Sequence, residues 1–394
     1  MDAATQKAAA DFSLVVDDPL YRAQQTLGLI PRRGGFGLGR RIAVAIAITW
    51  LPLVVYAFVR RRLLVGGEAP EPLLEHFGVH ARFLLALPLL LVAESTMQAT
   101  LHRILPQFVS SGLVDDALTP AFRAILADAA RLRSSRAALF VMMALVAVAT
   151  TLAWLHSADL HELAWEPATD RTAFGVLWFS FVARPLFLLV LAAWAWRLVV
   201  LFRMFAQIAK LDLRLAPTHP DRAAGLGFLE GLTVGLAPIG FAIAVPIAGR
   251  WAHDAVYHGV DVHTLQAPAI AFVVVQVALA LAPLLAFAPR LRVLRRESLA
   301  GYGALLAEYG RLVERRWIRR KVVADEDGLL SAPEIGPVAD TVALYEVVSK
   351  MRPAPISRRS LLPIALASAL PLLPVFATQL PVKDVLLKVL APLL

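Results

Sequence analysis

Four polar residues inside long apolar stretches are where this chain could do chemistry. At about 1.5 Å per helical residue, Glu94 lies roughly 18 Å beyond Arg82, and Arg184 roughly 15 Å beyond Phe174. On the same count, Glu230 lies roughly 14 Å beyond Asp221 and Gln276 roughly 11 Å beyond Ala269. A hydrocarbon core about 30 Å thick puts all four near its midplane. Two carboxylates and one guanidinium at one depth make a candidate cation- or proton-responsive site, one Glu paired to Arg184 and the other free to titrate. The competing reading is structural: Glu94 and Arg184 join two helices, and Thr233 or a water satisfies Glu230.

A second constellation is the loop leading into the helix that carries Glu230. Thr218 or His219 is expected to cap that helix, with Pro220 at its first position and Asp221 opposing the positive end of its dipole. Arg222 completes the loop-to-helix motif His219, Pro220, Asp221, Arg222. Behind it Gly227, Gly231 and Gly235 recur every four residues, a spacing that lets a second helix come close within a membrane. Asp212, His219 and Asp221 share this membrane-edge loop, but no catalytic motif accompanies them, so no enzyme is expected.

Histidines form the third. Seven of the nine (His76, His80, His156, His161, His253, His258, His263) fall on segments predicted to face outward. Imidazole beside carboxylate is a donor set for Zn²⁺ or Cu²⁺, and His76 and His80 at i and i+4 share a helix face. The spacings match no tight metal motif, so neither a metal nor a cofactor is expected; His76, His80, His253 and His258 are the residues that would bind one.

The elements that hold these groups are set by composition. The chain has 394 residues, 58% of them hydrophobic, with a mean hydropathy of +0.66. An ordinary soluble protein is nearer half apolar. Apolar windows of roughly 18 or more residues, the length that crosses a bilayer as a helix, predict seven spans at 42–58, 83–101, 137–155, 174–200, 226–248, 269–287 and 361–377. The fold class expected is an all-α polytopic membrane protein. No cysteine is present, which excludes disulfides and thiolate chemistry.

The net charge of +9 is mostly arginine gathered in a few connections, a positive-inside pattern rather than a nucleic-acid footprint. Segments 103–136, 197–222 and 290–359 are Arg-rich and predicted cytoplasmic, which puts the N-terminus inside; Arg60, Arg61 and Arg62 are the one dissent. Residues 1–41 read as a cytoplasmic lead-in with no cleavable signal peptide and a short interfacial helix over 19–30. Its Gly34–Gly39 stretch has neither the preceding strand nor the Lys-Ser/Thr of a phosphate loop. Residues 42–289 hold spans one to six, with cytoplasmic loops at 103–136 and 201–225. Residues 290–359 form a basic helical region whose first part, to Lys321, carries ten Arg and Lys against three acids. Residues 360–394 combine a span broken by Pro363, Pro371 and Pro374 with an amphipathic tail over 381–394.

The stretches 219–229 and 351–359 also carry a resemblance. The chain resembles a family of functionally uncharacterised bacterial multi-pass inner-membrane proteins with a His-Pro-Asp-Arg-x-x-Gly-Leu-Gly-Phe-Leu motif. The resemblance runs from the first span to the end, although the family pattern has two glycines where this chain has Ala224 and Gly225. It implies a bacterial inner membrane and the membrane class, and no chemistry. Two function classes follow: a small-ion or proton channel or transporter built on the midplane residues, or a non-transporting scaffold using the glycine face and the basic region. The expected partners are the lipid bilayer and a second copy of the chain through the helices, not nucleic acid.

Overall fold

A computed structural model describes residues 3–31, 36–64, 71–156, 162–166, 172–319 and 336–377. Among them the chain forms twelve helices and no strand. Two short helices, α1 (Ala3–Asp11) and α2 (Pro19–Thr26), lead into the bundle. Seven helices are long and apolar enough to cross a membrane: α3 (Leu38–Val59), α4 (Phe77–Ser110), α6 (Arg136–His156), α7 (Phe174–Ile208), α8 (Gly227–Tyr257), α9 (Val262–Leu285) and α12 (Arg358–Ala377). Between them lie α5 (Thr119–Arg133) and a hairpin of α10 (Ala288–Val313) and α11 (Gly336–Ser349). The protein is an integral membrane protein.

Several spans run on past the ends of the apolar windows into polar residues. Helix α4 runs on through His80 and Arg82 at one end and His102 and Arg103 at the other. Its buried residues Leu87, Leu90, Glu94, Met97, Leu101, Leu105 and Phe108 follow helical spacing. Helix α8 packs against that face and, on its other side, against α12. The outer helices α6 and α9 turn large apolar side chains outward, among them Phe140, Leu145, Leu152, Ile270 and Leu279, as a lipid-facing surface requires.

The glycines work inside this bundle. A side chain at Gly235 would come within 2.8–3.0 Å of Thr100 on α4, and one at Gly231 would meet Ile104 at 3.8 Å. Gly235 thus sits in the α4–α8 seam, whereas Gly231 is exposed at its edge. Gly227 is not part of that seam; its neighbour is Asp221.

Two other expectations change. The N-terminal lead-in is packed: Leu14, Val15 and Asp18 are buried, and Arg133 of α5 donates to the Ser13 carbonyl. Helix α8 starts later than expected, since 216–226 is a run of turns and the first helical turn is a 3₁₀ turn at Gly227–Gly231. Thr218, His219 and Pro220 therefore do not begin it. Helix α12 contains a 3₁₀ turn at Leu370–Leu372, around Pro371, as its prolines led one to expect. The amphipathic tail and Gly34–Gly35 lie outside the described residues.

Candidate functional site

The four polar residues assigned to the midplane do not form one site. Glu94 bonds to Arg41 of α3 (2.5 Å) and Arg197 of α7 (2.8 Å). Arg197 also reaches Asp18 through Nε (2.9 Å) and Nη2 (2.5 Å). This network of two carboxylates and two guanidiniums is almost fully buried; the four side chains are 1–6% exposed. Arg41 lies in the first turn of α3, so the network sits toward the end of the bundle that carries the N-terminus. Depth counting along α4 missed this because it carries no information about which residues of α3 and α7 lie beside it.

Arg184 is elsewhere. It follows a π-helical turn at Phe179–Ala183 and acts electrostatically on Glu162. It is therefore not the partner of Glu94 that the sequence led one to expect. Glu162 receives two parallel bonds from Arg82 (2.6 and 2.7 Å), and Arg82 sits in a second π-helical turn, Ala81–Ala86. The two turns meet where Phe83 contacts Phe179 edge-on. Gln276 donates to the Gly240 carbonyl (3.2 Å), joining α9 to α8.

Burial acts to raise the Glu162 carboxyl, but the Arg82 guanidinium, with Arg184 and Arg250 behind it, holds it below its ordinary value. A carboxyl depressed in the folded state contributes stability that is fully present above its unfolded pKa of about 4.3. That contribution is lost as pH falls through the lower, folded value. Melting curves of wild type and Glu162→Gln should accordingly differ at neutral pH and converge in acid. An equal gap at both ends would remove Glu162 from the acid response.

Glu230 belongs to a clasp built from the two stretches that carry the family resemblance. The Asp221 carboxylate accepts backbone N–H groups from Ala223 (2.8 Å), Gly225 (3.2 Å) and Gly227 (2.7 Å), and His219 Nδ1 lies 2.9 Å from it. Burial pushes this carboxyl up, yet those amides and His219 outweigh it and hold the pKa below its usual range. Arg222 and Ala224 both take φ of 57° and Gly225 takes 93°. A left-handed Ala224 is strained, since a Cβ costs roughly 1–2 kcal/mol in that region.

Across from this loop, Arg352 donates to Glu230 and, through Nη2, to the Asp221 carbonyl (2.7 Å). Its backbone N–H donates to the Arg222 carbonyl (2.7 Å). Ser357 donates to Glu230 Oε2 (2.5 Å) and caps α12 through the Ser360 N–H. Both motif stretches were visible in the sequence; that they hold each other was not, because no spacing rule links residues so far apart.

At the opposite end the histidines converge. His76 Nε2 and His253 Nε2 lie 3.8 and 3.6 Å from Glu71 Oε2, and His258 Nε2 lies 3.8 Å from Glu71 Oε1. His80 is not among them: its Nε2 faces the Leu73 carbonyl and its Nδ1 accepts from Trp50. Glu71 was missed as a ligand because it lies, like His76, in the stretch before α4, where no helical spacing links the two.

No protein-family model, curated protein or solved structure matches the chain. The family resemblance of 219–229 and 351–359 therefore rests on those residues alone.

Proposed function

We propose that the protein is a non-transporting scaffold of a bacterial inner membrane, with its N-terminus cytoplasmic. One observation carries the reading: the ionisable groups put forward as an ion site are held in charge-matched clasps. Glu94 is held with Asp18 by Arg41 and Arg197, and Glu230 by Arg352 and Ser357. Such groups sew elements together: the first clasp ties the N-terminal segment to α3, α4 and α7, the second ties the segment after α11 to the foot of α8. Between these clasps the α10–α11 hairpin is held to the bundle by Arg290, which donates to the Leu211 carbonyl and to Asp212, and to its own partner helix by Arg295, which donates to the Ser349 carbonyl. Its remaining arginines, Arg292, Arg296 and Arg311, make it the docking surface of the scaffold, facing anionic lipid or an acidic partner.

The alternative, ion passage through Glu94, Arg184, Glu230 and Gln276 acting together, lacks a shared location. Along the helix axes Arg184 sits level with Arg82, roughly 18 Å from Glu94. Flux measurements decide between them. Purified protein in liposomes should pass no K⁺, Na⁺ or H⁺ above protein-free vesicles, for wild type and Glu230→Gln alike. Flux that the substitution alters would overturn the scaffold reading.

A further inference from the structure

The geometry points to a binding site for one divalent transition-metal ion of the zinc class at the end of the bundle opposite the N-terminus, with Glu71, His76 and His253 as ligands and His258 completing the set. It is independent of the scaffold reading. The ligand atoms of Glu71, His76 and His253 all lie within 4.8 Å of one another. The separations of 3.6–3.8 Å from the carboxylate are long for hydrogen bonds. They are close to the spacing of about 3.3 Å that two ligands take when each lies 2.0–2.1 Å from a tetrahedral Zn²⁺.

The tautomer is settled by what surrounds the ring. His253 Nδ1 lies 2.8 Å from the Glu75 carbonyl oxygen, which can only accept. Nδ1 therefore carries the proton, and Nε2 directs its lone pair toward Glu71. A backbone carbonyl on the far nitrogen is the arrangement that orients metal-binding imidazoles. The rings of His76 and His253 stack at 4.8 Å with 25° between planes, and both Nε2 atoms face the same oxygen of Glu71. A cavity of about 10 Å³ lies beside the two rings, lined by His76, His253, Gly78, Val79, Glu162 and Arg250, with Glu71 outside its wall.

Access fits as well. His76 and His253 are buried, whereas Glu71 and His258 are 27% and 37% exposed, so the site opens on one side. One carboxylate and neutral imidazoles leave a divalent ion with excess positive charge, and Glu162 across the cavity is already paired with Arg82. Arg250 adds to that charge, but Asp254 lies 3.9 Å from it. The ligands come from the loop before α4 and from the end of α8, so an ion would bridge the two spans that form the glycine seam.

Zn²⁺ binding to the full-length protein in detergent tests this, with any oligohistidine tag removed and the protein first stripped with chelator. Equilibrium dialysis should find one Zn²⁺ per chain in wild type and in His156→Ala, which lies outside the cluster. Glu71→Gln and His253→Gln should each weaken binding at least ~10-fold, since even an outer-shell partner is worth that much. Glu71 is a partly exposed loop residue, so its substitution decides the matter should His253→Gln fail to fold. No bound Zn²⁺ in wild type, or wild-type affinity in Glu71→Gln, would overturn the site.

Discussion

Arg197→Met is expected to destabilise the bundle by about 3–5 kcal/mol, the range for leaving a buried charge without its partner. Arg197 is 2% exposed and holds both Asp18 and Glu94. Without it Glu94 keeps Arg41 and Asp18 keeps the Tyr21 amide, which leaves two negative charges against one positive in a region closed to water. The prediction has an internal check. Neutralising one carboxylate should restore part of the loss, so Arg197→Met with Glu94→Gln should be more stable than Arg197→Met alone, while Glu94→Gln alone remains destabilising. Such non-additivity is the mark of residues in one network. Thermal or denaturant unfolding in a fixed detergent reads all three variants. Additive losses would mean that the groups are not coupled, and the claim that this network anchors the N-terminal segment would fall. Because Asp18 lies in that segment, Arg197→Met should also expose the chain near Asp17–Pro19 to protease before the spans unfold.

The second large effect belongs to the α4–α8 seam. Gly235→Leu should cost at least ~3 kcal/mol, the upper part of the range for overpacking. The first added carbon alone would sit 2.8 Å from Thr100 Oγ1 and 3.0 Å from Thr100 Cβ and Cγ2. Those atoms are near the backbone of a buried helix and have nowhere to go: Thr100 is 1% exposed. Gly235→Ala should lose less, and Thr100→Ala should partly rescue it by removing the obstructing oxygen and methyl. Gly231→Ala is the control, since its new carbon would meet only Ile104 at an ordinary 3.8 Å. Melting temperatures in the order wild type, Gly231→Ala, Gly235→Ala, Gly235→Leu would establish the seam. A Gly235→Leu protein as stable as wild type would show that α4 and α8 do not approach as closely as described.

How far the sequence reached is clearest at these residues. The seven spans were legible because a bilayer asks one thing of each local stretch, an apolar run of sufficient length, and 58% hydrophobic composition supplies it seven times. The glycine spacing was legible for the same reason: a four-residue period names one helix face whatever lies opposite. What lay opposite was not legible. Gly235 meets Thr100 of the same chain, while Gly231 is exposed.

Polar residues followed the same rule. Sequence identified Glu94 and Glu230 as too costly to lie idle in a membrane, and each has a definite partner. The choice of partner required the fold. Coulomb attraction depends on distance in space, and Asp18 with Arg197, Glu230 with Arg352, and Glu71 with His253 are far apart along the chain. Counting along one helix also could not reveal which neighbours reach it: Glu94 meets Arg41 from the first turn of α3. Local apolar pattern thus determined the class of this protein, and long-range packing alone decided which of its charges meet.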